Sequence, residues 1–311
     1  MNVVFMGTPD FASGILKALH EAGYTISGVV TQPDKPVGRK KEPVAGPVKQ
    51  EALAIGCPIF QPVKVRTPES VEEVAAMKPD LIVVAAFGQI IPKSILDMPK
   101  YGCINVHASL LPDYRGASPI QRAILDGRKE TGVTIMRMNE GLDTGDIISK
   151  VVIPIDQEET GGSLFDKLAE AGAKLLLDTI PTIVDGTATY EPQPEKSPTP
   201  YAAMLTKAMG RIDWTQSAEE IERQVRAMNP WPSAYSTLDG KGFKIWKAHV
   251  EKPDMEGEPG SILRQDRKGL YVQTGHGVLC IDEVQMESRK RMTTADFFRG
   301  YVIRSDRFEE S

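Results

Sequence analysis

A chain of 311 residues that is 41% hydrophobic is longer than one core usually needs and can fill two. A formal net charge of −5 excludes a surface coated in positive charge for general nucleic-acid binding. No apolar run approaches the roughly 20 residues that span a bilayer, and the N-terminus leads straight into strand-like Asn2-Val3-Val4-Phe5, so the sequence predicts a cytoplasmic protein with no membrane association.

In chain order, Val3 to Met6 reads as a strand, Phe11 to Ala22 as a helix and Ile26 to Thr31 as a second strand. That βαβ order implies a parallel sheet and an α/β, Rossmann-like fold. The first turn, Gly7-Thr8-Pro9-Asp10, lacks the G-x-G-x-x-G spacing that brings backbone against a dinucleotide pyrophosphate, which removes the main support for a nicotinamide-dependent oxidoreductase. Residues 35 to 49 hold Lys35, Arg39, Lys40, Lys41 and Lys49 against Glu42 alone, in a Gly- and Pro-punctuated stretch that reads as an irregular basic loop. A charge run of this kind is ordinarily a solvated surface.

Further along, Asp80 to Phe87 and Cys103 to His107 read as buried parallel strands, Ala117 to Leu125 as a helix, and Gly132 to Met138 and Ile147 to Ile153 as strands of a hairpin. Ser163 to Asp185 carries helical apolar spacing, with Leu164, Leu168, Leu175, Ile180 and Ile183 near one side. The proline-rich residues 190–206 read as an extended linker. They divide a domain of residues 1–189 from one of residues 207–311. In the latter, Ala218 to Met228 reads as a helix ended by Pro230-Trp231-Pro232. Short strands at Tyr235 to Leu238, Lys244 to His249, Gly260 to Leu263, Gly269 to Thr274 and Gly277 to Val284 suggest a small barrel. The acidic bias belongs to residues 1–206, with 20 basic and 25 acidic side chains, whereas 207–311 carry 17 of each.

Chemistry concentrates at Asn105-Val106-His107-Ala108-Ser109-Leu110-Leu111-Pro112, followed by Gly141-Leu142-Asp143-Thr144-Gly145. Asn105 and His107 are two apart on an extended segment and project to one face, at the end of a parallel strand where ligands usually bind. An amide N–H can stabilise the oxyanion formed when a nucleophile attacks a formyl or acyl carbon, by roughly 3 kcal/mol. Imidazole can exchange the protons such a transfer requires. A carboxylate at Asp143 would fix the ring's tautomer. Taken singly, His107 suits packing and Asp143 suits a turn; the combination points to acyl transfer. Cys57, Cys103 and Cys280 are odd in number and widely spaced, so free thiols are expected. Cys103 reads as a small buried hydrophobe in preference to a nucleophile. None of the four histidines shows zinc-ligand spacing with Cys or Glu, and no metal is expected.

The runs Phe5 to Ala12, Thr31 to Asp34, Asn105 to Pro112, Tyr114 to Gln121 and Gly141 to Asp146 resemble the methionyl-tRNA formyltransferases. So do Gly210 to Trp214, Val225 to Pro232 and Lys244 to Ala248, and the resemblance spans nearly the whole chain. It implies a Rossmann-like formyltransferase domain followed by a C-terminal OB-like β-barrel domain that binds tRNA. It also implies 10-formyltetrahydrofolate as the co-substrate, held at Ser109, Leu110, Leu111 and Pro112, with Phe87 to Ile91 closing the same pocket. The implied catalytic set is Asn105, His107 and Asp143. The basic loop would enter the acceptor stem of initiator methionyl-tRNA, with Arg39 at the family's key arginine position beside Lys40 and Lys41. A monomer is expected. Formylation of a nucleotide amino-sugar or other small amine would keep the catalytic set but leave the loop and barrel without a task. A folate-dependent hydrolase would use water instead, and a noncatalytic tRNA-binding protein would have no use for the catalytic set.

Overall fold

The N-terminal apolar run forms β1 (Asn2–Gly7), in which Val3 to Met6 are fully buried. Helix α1 (Asp10–Glu21) follows and covers it with Phe11, Ala12, Ile15, Leu16 and Leu19, a helical stripe facing the sheet. Strand β2 (Thr25–Val30) returns parallel to β1, as the βαβ reading expects. These elements come from a computed structural model that describes residues 1–37, 42–251 and 257–309.

Residues 35 to 49 depart from the irregular loop expected. Strands β3 (Lys35–Val37) and β4 (Glu42–Val44) pair as an antiparallel hairpin, with Lys35 opposite Val44 and Pro36 opposite Pro43. The facing prolines disguise the hairpin in the sequence, yet alternate pairs of an antiparallel ladder need no N–H, and both strands are edges. Lys49 lies in the following helix, α2 (Pro47–Ala54), and its ammonium is bound to Asp34 at 2.6 Å. Arg39, Lys40 and Lys41 lie outside the described residues.

The chain continues through β5 (Ile59–Phe60), α3 (Pro68–Ala76), β6 (Leu81–Ala85), α4 (Lys93–Leu96), β7 (Cys103–His107), α5 (Pro119–Leu125), β8 (Glu130–Arg137), β9 (Ile147–Pro154) and α6 (Gly161–Asp185). One seven-stranded sheet results, in the order β5-β2-β1-β6-β7-β8-β9. It is parallel as far as β7 and antiparallel beyond it. The central strands β6 and β7 are buried throughout, whereas edge strand β9, buried only at Ile147, goes on to alternate half-buried and exposed positions, as each environment requires. In α6 the buried aliphatic residues are Leu164, Leu168, Leu176, Ile180 and Ile183. Leu176 is buried where Leu175 was expected, because the buried stripe advances in steps of four residues from Leu164 through Leu168 and Gly172 to Leu176 and Ile180.

The C-terminal part runs from a 3-10 turn (Lys207–Gly210) to α7 (Ala218–Ala227), β10 (Ala234–Leu238), β11 (Lys241–Glu251), β12 (Ile262–Gln265), β13 (Leu270–Gln273), β14 (Val278–Met286), β15 (Met292–Thr293) and α8 (Thr294–Gly300). Its separate antiparallel sheet has the order β10-β11-β14-β13-β12, with β15 on β14. The sheet surrounds a core that includes Trp214, Ile221, Phe243, Ile245, Leu279, Ile281, Phe297 and Phe308. Asp239 and Gly240 join β10 to β11 as a two-residue loop, both at positive φ, the conformation whose twist matches a hairpin.

Two units divide the chain: Met1–Pro119 with Glu130–Pro154 and Phe165–Ala203, and Ile120–Lys129 with Ile155–Leu164 and Met204–Ser311. The proline-rich residues up to Ala203 thus pack with the first unit. Among the described residues, no helix is long and apolar enough to cross a membrane.

Candidate active site

Strand β7 places Asn105 and His107 on one face near its C-terminal end, and both side chains are buried, 8% and 6% exposed. Among the described residues the Asn105 amide has no protein hydrogen-bond partner, and its atoms are not among the fully enclosed unpartnered ones, so the tip of this otherwise buried side chain keeps contact with solvent. A buried amide that the protein leaves unpaired is available to a ligand.

His107 is held differently from the sequence expectation. Its Nε2 lies 3.0 Å from the carbonyl oxygen of Tyr114, which can only accept, so Nε2 carries the proton. The tautomer is therefore set by backbone. Nδ1 faces the Asp143 carboxylate at 3.8 Å, beyond direct hydrogen-bond distance.

Asp143 sits in the β8–β9 turn at φ 53 and is itself anchored by backbone. The Gly116 N–H donates to its Oδ2 at 2.9 Å. Only glycine suits that donor position: Gly116 has φ 127, and a Cβ there would meet the Ala202 carbonyl oxygen. Gln193 Nε2 donates to the carbonyl oxygens of Asp143 and Gly145 at 3.0 and 2.7 Å. The structure therefore brings Asp143 against His107, with Asn105 on the same face of β7 two residues earlier.

The Ser109 to Pro112 segment leaves β7 directly beside them. Thr134 Oγ1 on β8 donates to the Ser109 carbonyl at 2.7 Å and accepts from Leu111 N–H at 3.0 Å. Ser109 Oγ donates to the Asp113 carbonyl at 2.6 Å. Leu111 packs into the core with Met136 and Ile147, while Leu110 stays partly exposed. Phe87 and Ile91 pack into the core, 2% and 6% exposed, whereas Ile90 between them is 67% exposed. Gln89 instead pins the loop before α3, accepting from Val65 N–H at 2.7 Å and donating to the Pro62 carbonyl at 3.1 Å.

Sequence reasoning missed the residues that support this loop. Arg115 is buried and donates through Nε and Nη2 to Gln193 Oε1 at 3.1 and 3.0 Å. It also donates to the Pro194 and Glu195 carbonyls at 2.7 and 3.1 Å. Ser197 Oγ donates to the Pro112 carbonyl at 2.9 Å, and Thr199 Oγ1 accepts from Tyr114 N–H at 2.7 Å. The only signal was the presence of Gln, Ser and Thr between prolines.

Cys103 lies on the same strand with its thiol pushed up to about 12 by burial. It donates to the carbonyls of Ile95 and Leu96, which suits the packing role. All three cysteines are free thiols, as expected.

The family model described as formyl transferase matches residues 1–180, and the formyl transferase C-terminal domain matches residues 204–302. The chain is 53% identical over 308 residues to the methionyl-tRNA formyltransferase of Agathobacter rectalis, covering 99% of each chain. It belongs to the methionyl-tRNA formyltransferase family. The corresponding enzyme of Bacillus subtilis is 50% identical over 300 residues, covering 96% of this chain and 94% of the relative.

Solved structures share the fold at lower identity. The sugar 3N-formyltransferase WlaRD superposes with TM-score 0.66 at 19% identity, covering 93% of this chain and 99% of its own. HypX from Aquifex aeolicus in complex with tetrahydrofolic acid gives TM-score 0.64 at 19% identity over 99% of this chain, which spans about half, 50%, of the HypX chain.

Proposed function

We propose that the chain transfers the formyl group of 10-formyltetrahydrofolate to the α-amine of methionine on initiator methionyl-tRNA, as a cytoplasmic monomer. The family membership supports the reaction, and the observation that carries the site assignment is the unpaired amide of the mostly buried Asn105 on the same strand face as His107, which Asp143 faces. Bound tetrahydrofolate has a precedent in the fold, in HypX. The residues here suit such a donor: partly exposed Leu110 offers apolar surface next to buried polar groups.

In this reading the donor supplies an activated formyl carbon, and the chain supplies orientation and proton handling. The neutral amine attacks that carbon, a C–N bond forms, and the carbonyl oxygen gathers charge that the Asn105 N–H stabilises. Because Tyr114 ties up Nε2, His107 exchanges protons through Nδ1. Asp143, facing Nδ1, favours the imidazolium formed on the way. As the bond to the folate nitrogen breaks, the proton taken from the amine is returned to that nitrogen. Asn105, His107 and Asp143 are the catalytic residues of this proposal, and Ser109 to Pro112 form the donor-binding segment.

Arg39, Lys40 and Lys41 contact the tRNA in the same proposal, through phosphate charge and a guanidinium fork on a base edge. Equal tRNA formylation by Arg39→Ala and parent would remove that assignment.

The deciding experiment measures formyl transfer from 10-formyltetrahydrofolate to initiator methionyl-tRNA, with elongator methionyl-tRNA and uncharged tRNA alongside. Formylation confined to the charged initiator is expected. Donor cleavage without a formylated product would make the protein a hydrolase. Light scattering of the purified chain checks the monomer.

A further inference from the structure

The absence of zinc-ligand spacing in the sequence concerned neighbours along the chain, and strand pairing makes neighbours that spacing does not show. His249 on β11 lies directly opposite Cys280 on β14 in the antiparallel register. Asp282 is two residues beyond Cys280 and shares its face, the one turned away from the core residues Leu279 and Ile281. One ligand atom from each of these three residues lies within 4.8 Å of the others.

We infer that His249, Cys280 and Asp282 bind one zinc-class divalent cation, with Glu251 fixing the histidine ring from outside the ligand set.

Two features support this beyond proximity. His249 uses its two nitrogens differently, Nδ1 standing 2.9 Å from Asp282 Oδ2 and Nε2 3.5 Å from Glu251 Oε2. A metal-binding histidine ordinarily gives its second ring N–H to a carboxylate, which sets the tautomer that leaves the ligating nitrogen bare. Glu251 faces Nε2 at 3.5 Å and can take that role once the cation replaces the proton that Nδ1 shares with Asp282 at 2.9 Å. The donor set of thiolate, imidazole and carboxylate suits zinc, and three protein ligands leave a fourth position for water.

The geometry requires modest closure. Bond lengths near 2.0–2.3 Å place tetrahedral ligand atoms about 3.5 Å apart, closer than the 4.8 Å limit that contains them here. The movable partners are the right ones: the side chains of His249 and Asp282 are 51% and 23% exposed, whereas Cys280 is fully buried and fixed. An approach exists, because His249 and Asp282 line a cavity of about 930 Å³ within the C-terminal unit, along with Trp246, Lys247 and Arg291.

The test titrates the full chain with Co²⁺, read by absorption, and with Zn²⁺, read by calorimetry against a competing chelator. One equivalent should bind, with a thiolate-to-cobalt charge-transfer band that Cys280→Ser abolishes. His249→Ala should weaken Zn²⁺ binding by more than about tenfold, and Glu251→Gln by about tenfold, in the range of lost outer-shell partners. A band that survives Cys280→Ser, or no band at all, overturns the inference. Should Cys280→Ser fail to fold, the half-exposed His249 decides: unchanged Zn²⁺ affinity in His249→Ala rejects the site.

Discussion

Gln193 stands between Arg115 and the Asp143 turn: its side-chain oxygen accepts twice from the guanidinium, and its side-chain nitrogen donates to the carbonyls of Asp143 and Gly145. Every bond of this clamp uses a fixed donor or acceptor, so the loop after Pro112 and the β8–β9 turn hold one another in register. Gln193→Met should cost about 2 kcal/mol of stability, since it strands part of a buried guanidinium. Gln193→Glu should keep the Arg115 contact yet lose both donations to the turn. Thermal unfolding and formyl-transfer kinetics distinguish them: the Glu variant should retain more stability than Met while kcat still falls. Parent-like kcat in both would show that the clamp does not position Asp143.

Asp143→Asn retains an oxygen for the Gly116 N–H and removes the charge facing His107 Nδ1. The expected loss is about 100-fold in kcat, with a much smaller change in donor KM. Unchanged turnover with only a raised donor requirement would contradict the proton-transfer role.

Asn105→Ala should lower kcat by about 100- to 1000-fold, the usual effect of deleting an oxyanion donor. Its melting temperature should stay near the parent's, because the amide has no protein partner to lose among the described residues. A large fall in stability with intact kcat would make Asn105 a packing residue.

With its thiol held near pKa 12 by burial, Cys103 is protonated at neutral pH and hidden from reagents. Cys103→Ala should keep kcat within about threefold, a minor change in barrier. Mass spectrometry after alkylation of the folded parent should find Cys103 unmodified. Abolished transfer in a folded Cys103→Ala would instead point to a covalent route.

Burial opposes the charge on Asp239, but hydrogen bonds from Ser305, Tyr301 and the Arg304 and Ser305 backbone outweigh it and hold the carboxyl at about 2. A depressed acid stabilises the fold above its unfolded pKa and loses that contribution as pH falls through the folded value. Asp239→Asn should therefore be less stable than the parent at neutral pH, and the gap should narrow between pH of about 4 and about 2. Denaturant melts at several pH values measure it; a pH-independent gap would mean the carboxylate's charge is not what matters.

The sequence determined the local elements and the chemistry available to them. Continuous apolar runs became buried central strands, and β7 carried Asn105 and His107 two apart on one face because side-chain period in a strand is fixed at two. The β3–β4 hairpin was hidden because its paired prolines argue against a strand until both edges are seen together. Tertiary structure alone decided what holds the site. Tyr114 sets the His107 tautomer through a backbone carbonyl, which every residue possesses and no residue type announces. Gln193 reaches the Asp143 turn from 50 residues away. His249 meets Cys280 only through the β11–β14 register. Spacing along a chain records periodicity within an element; contacts between elements arise when burial of their apolar faces fixes a register, and that register is a property of the folded whole.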